Sequence, residues 1–482
     1  MRLVAGLDFG GGAVKACVAD VETGALVAQA QQATPTLRPG PGRTEFDPTA
    51  WWSAAATAMR AAVGEAARPG ADYVAVSATS LRQGYVLLDA DAEIGRGVFN
   101  SDRRGADQLE RQRAEVGSER LYAVTGHWPA PELTLPKLMH EQAQAGDRWE
   151  RTTSVLFVHD WCLWRMSGER VSEPSMASAG QMLDIERSEW AADVLESLGL
   201  GIDRLPPLAR TGTTVGRLRD ESLGLPLDLP VVVGGADTQL AAAGSGGLGT
   251  GVVSIVAGTT TPLQATTTSL PHDPERHPWI STHVLPGHWA VENNAGYAGM
   301  NLEWLGGLTD RSVAELSEEA ATSRPGADGI TALVASPVWS EARWSGRPLP
   351  SLLGFEPRHQ RGDVARAFIE AHAYAIRANL EDLERAIGAR FAHVDLLGGA
   401  GRVRAFAQLV SDVIGRPVRQ VGSAYPPAAA FAWLARAEQG RTPPPAFEGT
   451  TLEPADHAAF ADGYGRFRAA DDVMSAHSVA ST

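Results

Sequence analysis

The sequence has few cysteines and no excess of positive charge. Only 2 of its 482 residues are cysteine, Cys17 and Cys162, and both lie in apolar segments, so we expect small buried side chains in a reducing compartment. No Cys-x-x-Cys or His-Glu-x-x-His motif occurs, so the sequence indicates no zinc site. The formal net charge of -15 disfavours binding to nucleic acid or to an anionic membrane, although backbone N–H groups can still bind phosphate.

The sequence also lacks a recognisable targeting segment. Residues 1–4 lead directly into a predicted strand, without the apolar stretch of a signal peptide. Residues 231–258 are nearly uncharged, but they are rich in glycine and threonine and contain Asp237, so we do not interpret them as a membrane span. A hydrophobic content of 44% and a charged content of 21% are typical of a soluble globular protein. We therefore expect a cytoplasmic protein.

What the sequence does contain is a strand–turn–strand pattern that occurs twice. Residues 3–9 and 13–20 predict two strands, and the turn between them consists of three glycines, Gly10, Gly11 and Gly12. Residues 252–257 and 262–268 repeat the pattern around a tip of small residues. A glycine-rich tip lets backbone N–H groups approach an anion closely, although a plain hairpin is the commoner explanation of one such tip. The repetition indicates two related halves.

The boundary between the halves is marked by proline. Residues 205–207 and 225–230 are proline-containing segments of the kind that separate structural units. With 482 residues the chain is long enough for at least two domains. We predict an N-terminal domain over residues 1–230, a C-terminal domain over 231–440 and a tail over 441–482.

A single acidic residue stands where a predicted strand gives way to a helix. Three valines at 231–233 indicate a buried strand, Gly234 and Gly235 a tight turn, and the residues after Asp237 favour a helix. In α/β sheets, ligands bind at the carboxyl ends of strands. We therefore interpret Asp237 as a catalytic carboxylate, with helix N-capping as the alternative role.

A second glycine-rich turn of this kind lies further along the chain. Residues 394–397 predict a strand, which leads into Gly398-Gly399-Ala400-Gly401 and then into a helix over 404–414. A strand-to-helix turn without bulky side chains is suited to a nucleotide.

The characteristic short segments of the sequence are, in order, Asp8-Phe9-Gly10-Gly11-Gly12, Glu45-Phe46-Asp47-Pro48 with Trp51-Trp52, Asp102-Arg103-Arg104, Asp160-Trp161, Arg165-Met166-Ser167-Gly168, Gly234-Gly235-Ala236-Asp237, Gly258-Thr259-Thr260, and Gly398-Gly399-Ala400-Gly401 with Gln408 and Asp412. In this order and spacing, they resemble the FGGY family of carbohydrate kinases from Leu3 to about residue 438. The resemblance implies an α/β fold of two actin-like (ribonuclease-H-like) ATPase domains around a central cleft. The sugar would lie mainly on the first domain and ATP mainly on the second.

The resemblance also implies roles for individual residues. Asp237 would take the proton from the attacking hydroxyl, and Asp8, together with Asp237, would hold Mg²⁺, largely through water. The residues implied to bind ATP are Gly10, Gly11, Gly12, Lys15, Gly258, Thr259, Thr260, Gly398, Gly399, Ala400 and Arg402. One departure from the family lies at Gly11, Gly12 and Ala13, where a Thr or Ser normally offers a hydroxyl to phosphate.

The residues expected to bind the substrate are Arg82, Gln83, Asn100, Asp102 and Asp237. Arg82 and Gln83 can offer a fork of donors and an amide to adjacent hydroxyls, although a solvated loop is the alternative for Arg82. The loop at 79–84, the Asn100-x-Asp102-x-Arg104 segment and residues 282–287 look most like autoinducer-2 kinases. Those enzymes phosphorylate a small, highly oxygenated five-carbon dione. Ribulose, xylulose and tetritol or glycerol-type polyols remain open.

These features predict an ATP-dependent kinase of a small sugar, ketose, polyol or autoinducer-2-type dione. A non-catalytic sensor on the same fold is the alternative, favoured by the missing hydroxyls at Gly11 and Gly12. An actin-type or chaperone-type ATPase is disfavoured, because such proteins lack the sugar-loop residues and an acid at the position of Asp237. The expected partner is a small sugar or polyol, with neither nucleic acid nor membrane, and a homodimer is left open.

Overall fold

The computed structural model describes residues 1–144, 146–247, 249, 251–258, 260–334, 339–341, 350–421, 425–436 and 449–479. The strands are β1 (Arg2–Phe9), β2 (Ala13–Asp20), β3 (Leu26–Ala33), β4 (Glu45–Phe46), β5 (Asp72–Ser80), β6 (Tyr85–Asp89), β7 (Ala92–Glu93), β8 (Gly97–Val98), β9 (Ser154–Phe157), β10 (Leu183–Asp184), β11 (Glu189–Trp190), β12 (Thr214–Arg217), β13 (Pro230–Ala236), β14 (Val252–Val256), β15 (Pro262–Thr267), β16 (Trp279–Thr282), β17 (Trp289–Asn294), β18 (Thr331–Leu333), β19 (Ser351–Leu353), β20 (His393–Leu397), β21 (Val418–Val421) and β22 (Gly449–Leu452).

The α-helices are α1 (Pro48–Ala66), α2 (Leu109–Glu115), α3 (Ser118–Thr125), α4 (Thr134–Gln144), α5 (Asp147–Glu150), α6 (Val158–Ser167), α7 (Pro174–Ala179), α8 (Ala192–Ser197), α9 (Asp237–Gly244), α10 (Ala298–Thr309), α11 (Val313–Ala321), α12 (Arg361–Ile387), α13 (Gly398–Gly401), α14 (Arg404–Ile414), α15 (Pro426–Leu434) and α16 (Ala461–Val479). In the described part of the chain, no helix combines the length and the apolar character needed to cross a bilayer.

The chain forms two compact units. The first consists of residues 1–248, 280–290 and 424–446, and the second of the remaining segments, 249–279, 291–423 and 447–482. The sequence placed the start of the second domain at residue 231, whereas the structure places β13 in the sheet of the first unit. The reason is that β13 pairs in parallel with β5. The proline-rich segments before residue 231 do not indicate which strand β13 pairs with.

The first unit is built on a six-stranded sheet with the order β12-β13-β5-β1-β2-β3. Strand β1 pairs antiparallel with β2 and in parallel with β5, which confirms the predicted N-terminal hairpin. Nearly every residue of β1 is buried, as expected for a strand covered on both faces. A second sheet, with the order β4-β8-β6-β7 and with β9 paired to β6, carries the loops that follow β5 and β8.

A cluster of aromatic side chains forms part of the core of the first unit. Helix α1 begins at Pro48, where the Asp47 side chain accepts the Thr49 N–H at 2.9 Å, a cap with proline in the first turn. This start directs Trp51 inward, where its ring stacks on that of Phe46 at a centroid distance of 4.0 Å. Trp161 meets Phe9 edge-on at 5.8 Å. The aromatic positions of the recognised motifs therefore stabilise the fold.

The second unit repeats the arrangement in a seven-stranded sheet with the order β16-β17-β15-β14-β20-β21-β22. Strand β14 pairs antiparallel with β15 and in parallel with β20, as β1 does with β2 and β5, so the predicted duplication is confirmed. Residues 449–479, which the sequence left in a tail, are part of this unit. Strand β22 pairs with β21, and α16 buries Phe467 completely.

Candidate functional site

Asp237 is the first residue of α9, directly after β13. Ala236 takes the capping position, and the Oδ1 atom of Asp237 accepts the Thr238 N–H at 2.8 Å. The Nε atom of Arg82 lies 3.9 Å from the same Oδ1 atom. The Arg82 and Asp237 side chains are 15% and 34% exposed, so the pair is accessible to a small molecule. The structure thus brings together the predicted catalytic acid and the predicted substrate-binding arginine.

A β-bulge lies in β13 just before Asp237. The register between β13 and β5 shifts between Val232 and Gly235, so β13 contains one extra residue. A Cβ atom on Gly234 would lie 1.8 Å from the carbonyl oxygen of Ala78, so only glycine fits there. Bulges of this kind redirect side chains next to active sites.

Two buried side chains accept the backbone N–H groups around the bulge. The Nε2 atom of His159 accepts the Gly234 N–H at 3.2 Å, and the Ser175 hydroxyl oxygen accepts the Ala236 N–H at 3.1 Å. Since Nε2 accepts, the ring proton is on Nδ1, which donates to Asp160 Oδ1 at 2.8 Å. The Asp160-Trp161 motif therefore supports the strand that carries Asp237.

Glu173 completes this support below the strand end. Its Oε2 atom accepts the Ser175 N–H at 2.8 Å and also the Ser175 hydroxyl, while the Thr211 hydroxyl donates to Oε1 at 2.9 Å. Burial raises the pKa of Glu173. The sequence analysis missed His159, Ser175 and Glu173, and the one available signal was an acid, Asp160, inside an apolar helix.

The predicted acceptor-binding residues lie on two loops with different surroundings. Arg82 and Gln83 follow β5, and Gln83 has a φ of 62°, which places it in the left-handed region. Asn100 is half-buried in the loop that follows β8. The carbonyl oxygens of Gln83 and Asn100 both accept hydrogen bonds from the buried Lys137 side chain. The sequence analysis did not identify Lys137.

Asp102 is fully buried. Its Oδ1 atom accepts both the backbone N–H and the Nε–H of Arg104 at 2.9 Å, and its Oδ2 atom accepts the Thr44 N–H at 2.6 Å. The Arg104 guanidinium also binds Glu45 and Glu141, and it holds the pKa of Asp102 below its usual value in spite of burial. The Asp102 carboxylate is thus bound by protein donors that hold the loop, and its role in substrate binding stays a prediction.

Asp8 lies at the end of β1, opposite Lys15 of β2. Its Oδ2 atom accepts the Tyr425 hydroxyl at 2.9 Å, and the Lys15 ammonium lies 5.7 Å from the centroid of the Tyr425 ring. Burial raises the pKa of Asp8, although Lys15 and Tyr425 oppose the shift. Tyr425 was missed because 417 residues separate it from Asp8.

The residues around Asp8 are compatible with Mg²⁺. This cation commonly takes one or two carboxylates and keeps several waters. Among the described residues, no group of three or more His, Cys, Asp or Glu side chains is arranged to hold a metal ion. A single carboxylate completed by water and phosphate oxygens is a donor set that this cation commonly takes. A cation would also stabilise the ionised form of the half-buried Asp8 carboxylate.

The tip of the first hairpin presents backbone without side chains. Gly11 and Gly12 are exposed, and a Cβ atom on either would meet no protein atom within 4 Å. The Gly10 N–H closes the turn by donating to the Ala13 carbonyl at 3.1 Å. Packing against the protein therefore does not require glycine at positions 11 and 12. A reason for glycine there is that an anion can approach the backbone closely when no side chain intervenes.

The second unit contains a cavity of about 420 Å³. Three of the predicted ATP-binding residues line it: Gly258, Gly399 and Ala400. Gly398 is required by the backbone conformation instead. Its φ is +86°, and a Cβ atom there would lie 2.4 Å from the Ala257 carbonyl oxygen. Thr260 accepts the Gly258 N–H through its carbonyl at 3.2 Å.

Arg402 and Thr259 are two other residues predicted to bind ATP. Arg402 is exposed beyond α13, where its N–H donates to the Gly398 carbonyl at 3.3 Å. Thr259 lies outside the described residues.

His372 and Phe406 form a wall of this cavity that the sequence analysis missed. Their ring centroids are 4.9 Å apart, and the His372 Nε2 atom lies 2.7 Å from the Thr261 hydroxyl oxygen. Burial lowers the pKa of His372 to about 4, so the ring is neutral at neutral pH. A neutral, largely apolar wall suits a planar heterocycle.

Comparisons with known proteins cover nearly the whole chain. The model of the N-terminal domain of the FGGY family of carbohydrate kinases matches residues 3–244, and that of the C-terminal domain matches residues 253–435. The autoinducer-2 kinase of Klebsiella pneumoniae subsp. pneumoniae is 27% identical over 440 residues, which cover 87% of this chain and 82% of that protein.

Two solved structures extend the likeness. The xylulose kinase of Rhodospirillum rubrum has a TM-score of 0.87 and 26% identity, covering 99% of this chain and all of its own. The glycerol kinase of Plasmodium falciparum with ADP has a TM-score of 0.85 and 15% identity, covering 99% and 98% of the two chains, and it shows the likeness of fold alone.

Proposed function

Because this chain belongs to the FGGY family of carbohydrate kinases, and is an ATP-dependent phosphotransferase with an alcohol group as acceptor, we propose that its acceptor is a small linear compound in which a carbonyl or its hydrate lies beside hydroxyls. Ketoses and autoinducer-2-type diones have this chemistry. The observation that carries the proposal is the Arg82 Nε atom, 3.9 Å from Asp237 Oδ1 in a partly exposed pair. A charged donor beside the base suits an oxygen adjacent to the attacking hydroxyl.

The proposed chemistry assigns one role to each charged group. The Asp237 carboxylate would accept the proton of the acceptor hydroxyl while the hydroxyl oxygen forms a bond to the γ-phosphorus of ATP. The bond from that phosphorus to the β-phosphate oxygen breaks, and ADP leaves. The Arg82 guanidinium orients the acceptor by donating to a neighbouring oxygen. Asp8 is the principal residue that would hold Mg²⁺, which neutralises phosphate charge when bound. Phosphoryl transfer depends mainly on such positioning and neutralisation.

The nucleotide is proposed to place its base in the cavity of the second unit, which has a largely apolar wall, and its phosphates near Gly258 and Thr260 of the same unit. Cys17 and Cys162 are buried free thiols, in keeping with the proposed cytoplasmic location. The sensor alternative is not favoured, because the relatives of this chain are named as kinases.

The acceptor proposal is tested by measuring ADP release across ketoses, polyols without a carbonyl, and the linear precursor of autoinducer-2. We expect the highest kcat/KM for an acceptor with a carbonyl or hydrate beside its hydroxyls. A preference for glycerol-type polyols would contradict the acceptor class, and the absence of acceptor-dependent ADP release would contradict turnover of this substrate class altogether.

The cavity assignment predicts that Ala400→Trp raises the KM for ATP. Ala400 lines the cavity and is half-buried, so an indole ring there would occupy space proposed for the base. Acceptor affinity measured without ATP should stay unchanged. The matched control is Ala389→Trp, at an exposed position of the same unit, which should leave the KM for ATP as it is. An unaltered KM in a folded Ala400→Trp variant would contradict the assignment.

The raised pKa of Asp8 predicts that activity falls on the acid side at a higher pH than for an ordinary carboxylate. Below this pKa the carboxyl group is neutral and loses its attraction for Mg²⁺. Added Mg²⁺ should move the acid limb of kcat/KM for ATP to lower pH, since cation and proton compete. Tyr425→Phe should move the limb to higher pH, because it removes a hydrogen bond that favours the ionised form. A limb that neither change moves would rule out Asp8.

A further inference from the structure

The chain has only two lysines. Of its 42 basic residues, 40 are arginine, and the lysines are Lys15 and Lys137. Lys15 faces Asp8, as described above. Lys137 lies in α4 and is completely buried. In a sequence that otherwise uses arginine throughout, a buried lysine indicates a place where a guanidinium does not fit.

The Lys137 ammonium group joins the two predicted acceptor-binding loops. Its Nζ atom donates to the Gln83 carbonyl at 3.2 Å and to the Phe99 and Asn100 carbonyls at 3.0 Å each. Gln83 is adjacent to Arg82 in the loop after β5, whereas Phe99 and Asn100 belong to the loop after β8. The Phe99 and Asn100 carbonyls lie 16 and 17 residues after the Gln83 carbonyl in the sequence, and the Lys137 side chain binds all three.

The number of acceptors matches the charged form of the side chain. An ammonium group has three N–H donors that radiate from one atom, whereas a neutral amine has two. A guanidinium spreads its donors in a plane and does not converge on three carbonyls from one point. The geometry therefore accounts for lysine at this position.

Three charged groups face Lys137. Asp102 and Glu132 favour its protonated form and Arg104 opposes it, while burial is the largest influence and lowers the pKa of Lys137 to about 7. Asp102 has a lowered pKa and Arg104 a raised one, so these two stay charged across neutral pH. The buried His127, near Arg82, has a pKa lowered to about 4 and is neutral in this range.

We propose that Lys137 is a positioning residue for the acceptor. It holds the backbone carbonyls of the two loops in one arrangement and thereby places Arg82 and Asn100 for substrate. The assignment rests on the proposed function, because it takes these loops as the acceptor site. It names a residue that acts through the loops and does not itself touch the substrate.

The test is Lys137→Met, which keeps most of the length of the side chain and removes all three donors. We expect the KM for the acceptor to rise about ten-fold or more, from the loss of charge-assisted hydrogen bonds. The ATP affinity measured without acceptor should not change. Thr134→Val is the matched control, because the Thr134 hydroxyl donates to the same Gln83 carbonyl at 3.1 Å without a charge, and we expect less than about a three-fold effect there.

A role in stability alone gives a different result. A folded Lys137→Met protein would then have a lower melting temperature but the wild-type KM for the acceptor, and that outcome overturns the proposal. If Lys137→Met does not fold, the pH dependence of the wild-type protein tests the proposal instead. Its KM for the acceptor should rise above about pH 7, where the side chain loses one donor, and a KM that is constant from pH 6 to 9 overturns the proposal.

Comparison with Arg82→Met separates this proposal from the proposed function. If Arg82→Met leaves kcat/KM unchanged for every acceptor, the assignment of the loops is wrong and both proposals fail. If Arg82→Met impairs turnover while Lys137→Met keeps the wild-type KM, only the positioning role fails.

Discussion

Replacing Asp237 with asparagine is expected to lower kcat by about 10²–10⁴, the usual contribution of general-base catalysis. The asparagine has the same shape, and its Oδ1 atom can still accept the Thr238 N–H, so helix α9 should begin unchanged. It cannot accept the proton of the acceptor hydroxyl. The measurement is kcat by ADP release at saturating ATP and acceptor.

The control for this substitution is Asp193→Asn, which removes a carboxylate from the first turn of another helix, α8. It should turn over at the wild-type rate. Acceptor binding to Asp237→Asn, measured by calorimetry, should be largely retained, because the loss lies in proton transfer. Turnover of Asp237→Asn at the wild-type rate would show that this residue is not the base.

The second large effect is expected for Arg82→Met. We predict a loss of kcat/KM for the true acceptor of roughly 10–200-fold, from losing charged hydrogen bonds of about 1.5–3 kcal/mol. Methionine keeps much of the apolar stem but offers no donors to a carbonyl or hydroxyl. ATP affinity measured without acceptor should be unaffected.

Arg113→Met is the control for Arg82→Met. Arg113 forms an exposed ion pair with Glu110 on α2, and such pairs contribute little. Its kcat/KM should therefore equal that of the wild type. If Arg82→Met also has the wild-type kcat/KM across all acceptors, Arg82 is a solvated loop residue and the acceptor class loses its main support.

The sequence alone determined the local features of this protein. Alternating and continuous apolar segments predicted the two hairpins, and both are present. The helix over residues 404–414 was predicted with the bounds that it has. Asp237 was placed at a strand-to-helix boundary, where it is found. These features could be predicted because they depend on residues only a few positions apart, whose hydrophobic period and turn-forming residues are visible in the sequence.

Only the tertiary structure decided which distant residues support the site. The Gly234 N–H meets His159, 75 residues away, and the Asp8 carboxylate meets Tyr425, 417 residues away. The same holds for the three carbonyls bound by Lys137 and for the return of β13 to the first sheet, which the division at residue 230 did not foresee. A hydrophobic period shows that a residue is buried but not which residue it meets. Those pairings follow from the chain topology. Buried polar groups need hydrogen-bond partners, and the fold decides which distant residues lie close enough to supply them.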